Sequence, residues 1–254
     1  MKDIKLATRL YVKEDLGDET VLGLGPQQAH FLRSVLRLKP GARLALFNGR
    51  DGEWLARLDA LGKGWASLLL EEQSRPQTEE PGLTLLFAPV KRQRIDWIAE
   101  KATEMGCTRL QPILTRRTIV ERVNVQRLRT TVREAAEQSE RISLPEVAEP
   151  AKLEHVLGDW PEDEPFLFAD ESGSGRPIDE VVNETRARAL VIGPEGGFES
   201  QEQETIARHP AACAVGLGPR ILRADTAVVA ALAVMQALTG DWTSRPQFRN
   251  LQPR

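Results

Sequence analysis

Apolar positions along this chain change their period near residue 80. Before that point, short stretches such as Arg43-Leu44-Ala45-Leu46-Phe47 and Trp65-Ala66-Ser67-Leu68-Leu69-Leu70 are broken by Pro40-Gly41, Asn48-Gly49, Asp51-Gly52 and Gly62-Lys63-Gly64. Short strands punctuated by turn residues predict a small β-barrel or sheet. One helix is predicted within it, over 26–35, where Ala29, Leu32 and Val35 fall at helical spacing. Residues 73–82, with two prolines among polar neighbours, read as a linker.

Beyond the linker, apolar runs of strand length alternate with helical segments, as in a mainly parallel sheet covered by helices. The predicted strands are 83–88, 110–114, 166–169, 189–192 and 214–217. A helix is predicted over 93–105, with Ile95, Ile98, Ala102 and Met105 on one face and Gly106 as its stop. A second begins at Asn124, a good N-cap, and runs to about 141, with Leu128, Val132, Ala135 and Ser139 on one stripe. A third runs from Asp225 or Thr226 to Leu238 and is closed by Gly240. The expected division is therefore 1–73, 80–242 and a tail, 243–254.

Composition changes this picture little, but it excludes several classes. The apolar run 227–238 is interrupted by Gln236 and falls short of the ~20 residues that a bilayer span requires. The start, Met1-Lys2-Asp3-Ile4-Lys5, alternates charge and lacks the apolar core of a secretory signal, so a cytoplasmic protein is expected. Cys107 and Cys213 stand outside any CxxC pattern and read as reduced core thiols. His30, His155 and His209 share no metal-ligand spacing, and no metal is expected. The net charge of -3 hides segregation: residues 91–141 carry twelve Lys or Arg against seven Asp or Glu, whereas 146–204 carry four against sixteen. The basic stretch is either a polyanion-binding patch or a solvated face.

The candidate chemistry lies in two loops that follow consecutive strands, Gly193-Pro194-Glu195-Gly196-Gly197-Phe198 and Gly216-Leu217-Gly218-Pro219-Arg220-Ile221-Leu222-Arg223. Glycines beyond the carboxyl ends of strands let backbone approach a ligand closely. Neither loop ends in the Gly-Lys-Ser/Thr of a Walker sequence or forms GxGxxG in the first unit, which disfavours ATP and NAD. Spacing alone leaves tight turns as an equal reading and names no ligand.

As an ordered set, these loops and several other runs resemble the RsmE-type ribosomal RNA methyltransferases of the knotted SPOUT class. The supporting runs are Val191-Ile192 before the first loop, Arg9-Leu10-Tyr11-Val12, His30 with Val35-Leu36-Arg37, Glu100-Lys101-Ala102-Thr103-Glu104-Met105-Gly106, and Glu137-Gln138-Ser139-Glu140-Arg141 with Pro145. The resemblance implies an N-terminal PUA-like β-barrel that helps to hold RNA and a C-terminal α/β domain tied as a trefoil knot. It implies S-adenosylmethionine as methyl donor, a homodimer as the active unit, and N3 of a uridine in 16S rRNA of the small ribosomal subunit as acceptor. By position, Ile192, Gly193, Pro194, Gly196, Gly197, Leu217, Gly218, Ile221, Leu222 and Ala224 would meet the cofactor. Asp225 stands where the family usually has Glu.

Two residues are candidates for catalysis. Arg223 could steady the uracil oxygens as the imide becomes anionic, or instead pair with Glu195 or Asp225. Glu195 could accept a proton, anchor the cofactor amine or cap the next helix. Arg9, Arg33 and Arg37 are expected on RNA phosphates, with Arg92, Arg94, Arg116 and Arg117 extending that surface. The competing readings are a related enzyme acting on another base or on ribose, and a PUA-like RNA-binding dimer without catalysis.

Overall fold

The computed structural model describes residues 6–120 and 122–244, and of Arg92 the backbone alone. The last ten residues of the expected tail, Glu121 and the charged start of the chain lie outside the described residues. The chain divides into two compact units, Met1–Glu79 with Ala136–Leu144, and Glu80–Ala135 with Pro145–Arg254. Residues 136–144, which the sequence reading gives to the second domain, thus group with the first.

The first unit is a five-stranded sheet built from β1 (Arg9–Tyr11), β2 (Val21–Leu24), β3 (Arg43–Phe47), β4 (Glu53–Gly62) and β5 (Trp65–Arg75). Its order, β1-β3-β4-β5-β2, leaves β1 and β2 at opposite edges, so the sheet is a curled half-barrel. Three register shifts between β4 and β5 supply local twist and curl. The inner face buries Leu44, Leu46, Leu58, Leu68 and Leu70 against Ala29 and Leu32. Strand β5 continues to Arg75, into the stretch expected to be linker, because Gln73 and Arg75 still pair with β4. The helix expected over 26–35 is α1 (Pro26–His30) followed by a π-helical turn, Phe31–Val35. There the Leu36 N–H reaches back to Phe31 O at 3.0 Å, and Arg37 then takes a left-handed φ of 54°.

The second unit is α/β. Its strands are β6 (Thr84–Phe87), β7 (Arg109–Leu114), β8 (Glu146–Val147), β9 (Ala151–Lys152), β10 (Phe166–Ala169), β11 (Arg176–Pro177), β12 (Ala189–Ile192) and β13 (Ala212–Gly216). The sheet order is β11-β13-β10-β12-β6-β7-β8, with β9 beside β7 and every pairing parallel. Strand β12 reads Ala-Leu-Val-Ile and is buried throughout, the composition of a strand covered on both faces. Successive residues serve opposite cores. Leu85, Phe87, Leu190 and Ile192 face α2 (Arg92–Glu104), α5 (Ile178–Thr185) and α7 (Ala224–Leu238); Leu86, Ala88, Ala189 and Val191 face α4 (Leu153–Gly158) and α6 (Ser200–Arg208).

Helix α3 (Val125–Gln138) starts as expected, with Asn124 Oδ1 accepting the Arg127 N–H at 3.0 Å. Short α4, α5 and α6 and strands β8, β9 and β11 have too few residues to show a period. Among the described residues no helix is long and apolar enough to cross a membrane.

Candidate functional site

In the second sheet β10 lies between β12 and β13, so three loops leave the same edge side by side: 170–175, 193–199 and 217–223. They enclose a cavity of about 930 Å³ lined by Ile192, Gly193, Pro194, Glu195, Gly197, Leu217, Gly218, Ile221, Leu222, Arg223 and Ala224, all expected there. Gly196 is not among the lining residues; its carbonyl accepts a hydrogen bond from Arg117 Nη1 at 2.7 Å. The middle loop, 170–175, is the part the sequence reading passes over. Its signal is nevertheless visible, since the strand Phe166–Ala169 runs directly into Asp170-Glu171-Ser172-Gly173-Ser174-Gly175.

Loop 193–199 is fastened on several sides. The Phe198 ring packs on Gly193, where a Cβ would lie 2.9 Å from it. Gly197 turns the chain with a φ of 69° and donates its N–H to Pro194 O at 2.9 Å. Arg94, on α2, forms an ion pair with Glu195 and lies 3.7 Å from Asp225. Helix α6 is capped by Glu199, not Glu195: Glu199 and Glu202 form a capping box. The buried Glu202 carboxylate also accepts the Arg116 N–H at 2.8 Å, and the Arg116 side chain lies 3.7 Å from Glu199.

Loop 217–223 is held differently. Gly218 has a φ of 91° and Leu222 packs into the core, while Ile221 is 89% exposed. The Arg223 carbonyl accepts the Ala227 N–H at 2.8 Å and starts α7. Among the described residues the Arg223 guanidinium has no ion pair or hydrogen bond, because the carboxylates weighed as its partners, Glu195 and Asp225, face Arg94.

The middle loop is ordered by Asp170. Burial alone would raise its pKa, but the hydroxyls of Ser174 and Ser172 and their backbone N–H groups outweigh burial and hold it below the ordinary 3.8. The hydroxyl contacts are 2.5 and 2.7 Å. Gly175 then leads into β11 alongside β13, where a Cβ would lie 2.6 Å from the carbonyl carbon of Val215.

The expected phosphate-binding arginines separate into groups. Arg9 is corrected: its side chain is 9% exposed and bonds Glu53 at 2.6 Å, while Nη1 and Nη2 donate to the carbonyls of Ala136, Glu137 and Arg141. Its guanidinium also lies 4.8 Å from the Phe47 ring centre, so Arg9 caps the end of α3 inside the first unit and has no face left for phosphate. Arg94, Arg116 and Arg117 are engaged by the first loop. Arg33 and Arg37 are exposed on the π-helical turn and just after it, without partners among the described residues. The side chain of Arg92 lies outside the described residues. Among the described residues no three His, Cys, Asp or Glu side chains group as a metal site requires. Neither Cys107 nor Cys213 is in a disulfide among the described residues, and burial pushes the Cys213 thiol up.

Comparison with known proteins agrees with this geometry. A family model for an RNA methyltransferase domain matches residues 78–236, and one for an RNA methyltransferase PUA domain matches residues 24–69. The chain is 32% identical over 234 residues to ribosomal RNA small subunit methyltransferase E of Rickettsia conorii, covering 91% of this chain and 95% of that one. It is 36% identical over 243 residues to the Synechocystis protein of the same name, covering 92% and 78%. The crystal structure of ribosomal RNA small subunit methyltransferase E from Neisseria gonorrhoeae, bound to S-adenosyl methionine, superposes with a TM-score of 0.85 at 30% identity, covering 92% of this chain and 99% of that one. The chain belongs to the ribosomal RNA small subunit methyltransferase E family.

Proposed function

We propose that this protein transfers the methyl group of S-adenosylmethionine to N3 of a uridine in 16S rRNA of the small ribosomal subunit, acting in the cytoplasm as a homodimer. The observation that carries the reading is the three-loop cavity, which gathers the two glycine loops into one site in a chain whose Neisseria gonorrhoeae relative is described as bound to this cofactor. Its volume of about 930 Å³ falls within the roughly 300–1,000 Å³ of small-molecule sites. Backbone at 192–197 and 217–222 would hold the nucleoside and amino-acid parts.

The cofactor, when bound, supplies an electrophilic methyl group. The protein's own task is then to bring N3 into line with it and to tolerate charge on the imide as its proton leaves. Arg223 stands at the rim, its guanidinium unpaired among the described residues, and suits the uracil oxygens. Glu195 is occupied by Arg94, so its role is to shape the wall. Arg33 and Arg37 supply phosphate contacts from the first unit. For the dimer, the support is α7, which buries Ala227, Val228, Ala231, Leu232 and Met235 yet leaves Leu238 exposed and Val229, Ala233 and Val234 only half covered. A monomer in light scattering at micromolar concentration would remove that part.

The decisive experiment supplies methyl-labelled cofactor to small ribosomal subunits from cells lacking the protein and maps the labelled nucleotide. Label at N3 of one uridine is expected. Label on a different base or on ribose would replace the acceptor, and cofactor binding without any transfer would leave an RNA-binding module.

A further inference from the structure

Four carboxylates line the cavity, Asp170, Glu171, Asp179 and Glu195, and their surroundings are unequal. Asp170 is tied up by Ser172 and Ser174, and Glu195 by Arg94. Asp179 sits in the first turn of α5, where free N–H groups and the helix dipole favour negative charge. Glu171 has none of this support. It is exposed, it stands in the middle loop, and among the described residues no hydrogen bond or ion pair engages its carboxylate. Its carboxylate nonetheless lies at the wall: Glu171 Oε1 rests against the backbone of Gly197, in the space that a Cβ there would take. Gly197 itself is required by its left-handed φ of 69°.

We propose that Glu171 is the counter-charge for the cationic end of the cofactor. This rests on the reading of the cavity as an S-adenosylmethionine site. That cofactor carries two positive groups, an ammonium and a sulfonium, and Glu171 offers them a carboxylate, unpaired among the described residues, from between two of the three enclosing loops. The proposal reassigns a role the sequence reading offered to Glu195, whose charge Arg94 already meets.

The test is calorimetric titration of the full chain and its Glu171→Gln variant with S-adenosylmethionine, S-adenosylhomocysteine and methylthioadenosine. The second has the ammonium and a neutral sulfur; the third has neither charge. Affinity for S-adenosylmethionine should fall about tenfold in the variant, the scale of one charge-assisted hydrogen bond at a partly open site, and that for methylthioadenosine should not change. A parallel loss with S-adenosylhomocysteine identifies the ammonium as partner, and its absence identifies the sulfonium. Equal losses for all three ligands, or no loss for S-adenosylmethionine, would overturn the proposal. A wild-type chain that fails to bind S-adenosylmethionine would instead overturn the function proposed above.

Discussion

The two glycine loops lie on one cavity yet are held in opposite ways. Loop 193–199 is fixed from outside by Arg94, Arg117 and the Glu199–Glu202 capping box. Loop 217–223 has no side-chain hydrogen bond or ion pair among the described residues, and it presents Arg220, Ile221 and Arg223 outward. A wall that must fit a ligand closely gains from being fixed before binding, since ordering it afterwards would cost affinity. Side chains that must meet a second, larger partner gain from being left free. We infer that the first loop is the preorganised part of the cofactor wall, and that the second, whose backbone also lines the cavity, turns its side chains to the substrate.

The largest effect that would sharpen this contrast is on the rim. Arg223→Ala should lower single-turnover methyl transfer by about 100-fold, the scale of losing one donor to developing negative charge, with the cofactor dissociation constant nearly unchanged. An equal loss of both would make Arg223 part of the wall. On the first loop the pattern should invert. Arg117→Ala removes the bond to Gly196 O, so cofactor affinity should fall about tenfold, the worth of one hydrogen bond from a charged donor, while transfer at saturating cofactor stays within a few-fold. Unchanged affinity in titration would show that the loop keeps its shape without this clamp.

The smallest effect concerns the middle loop. The Asp170 carboxylate titrates below 3.8 in the folded chain, so its stabilisation is complete above the unfolded value and is lost as pH falls through the lowered one. Asp170→Asn should therefore melt below wild type by a constant amount above about pH 5, with the gap closing under more acid conditions. A gap that persists unchanged in acid would mean that the serine contacts do not depend on charge.

Much of the second unit is legible in its residues. The strands at 166–169 and 189–192 are apolar runs of strand length, ended by Asp170-Glu171 and by Gly193, and their bounds agree with the structure. The helices α2 and α3 have clear stripes and ends, with Asn124 capping α3 and Gly106 closing α2, and α7 is legible as a run apolar on all sides. What was illegible is short or non-local. The six-residue α4 is below the length at which a helical stripe repeats. The π-helical turn at Phe31–Val35 keeps the composition of an ordinary helix and differs only in which carbonyl Leu36 reaches.

Arginines show the limit most clearly. In the sequence Arg9, Arg33, Arg94, Arg117 and Arg223 are equivalent cations, and nothing local separates them. The fold makes Arg9 a buried helix cap, Arg94 and Arg117 clamps on a loop, and leaves Arg33 and Arg223 unpaired among the described residues, because a guanidinium takes its role from carboxylates and carbonyls that other segments bring to it. The sequence by itself determined the periods, the breaks and the two glycine turns, since those depend on neighbours within a few residues. Only the tertiary structure placed β10 between β12 and β13, and with it the third loop and Glu171, because strand order is settled by packing among segments tens of residues apart.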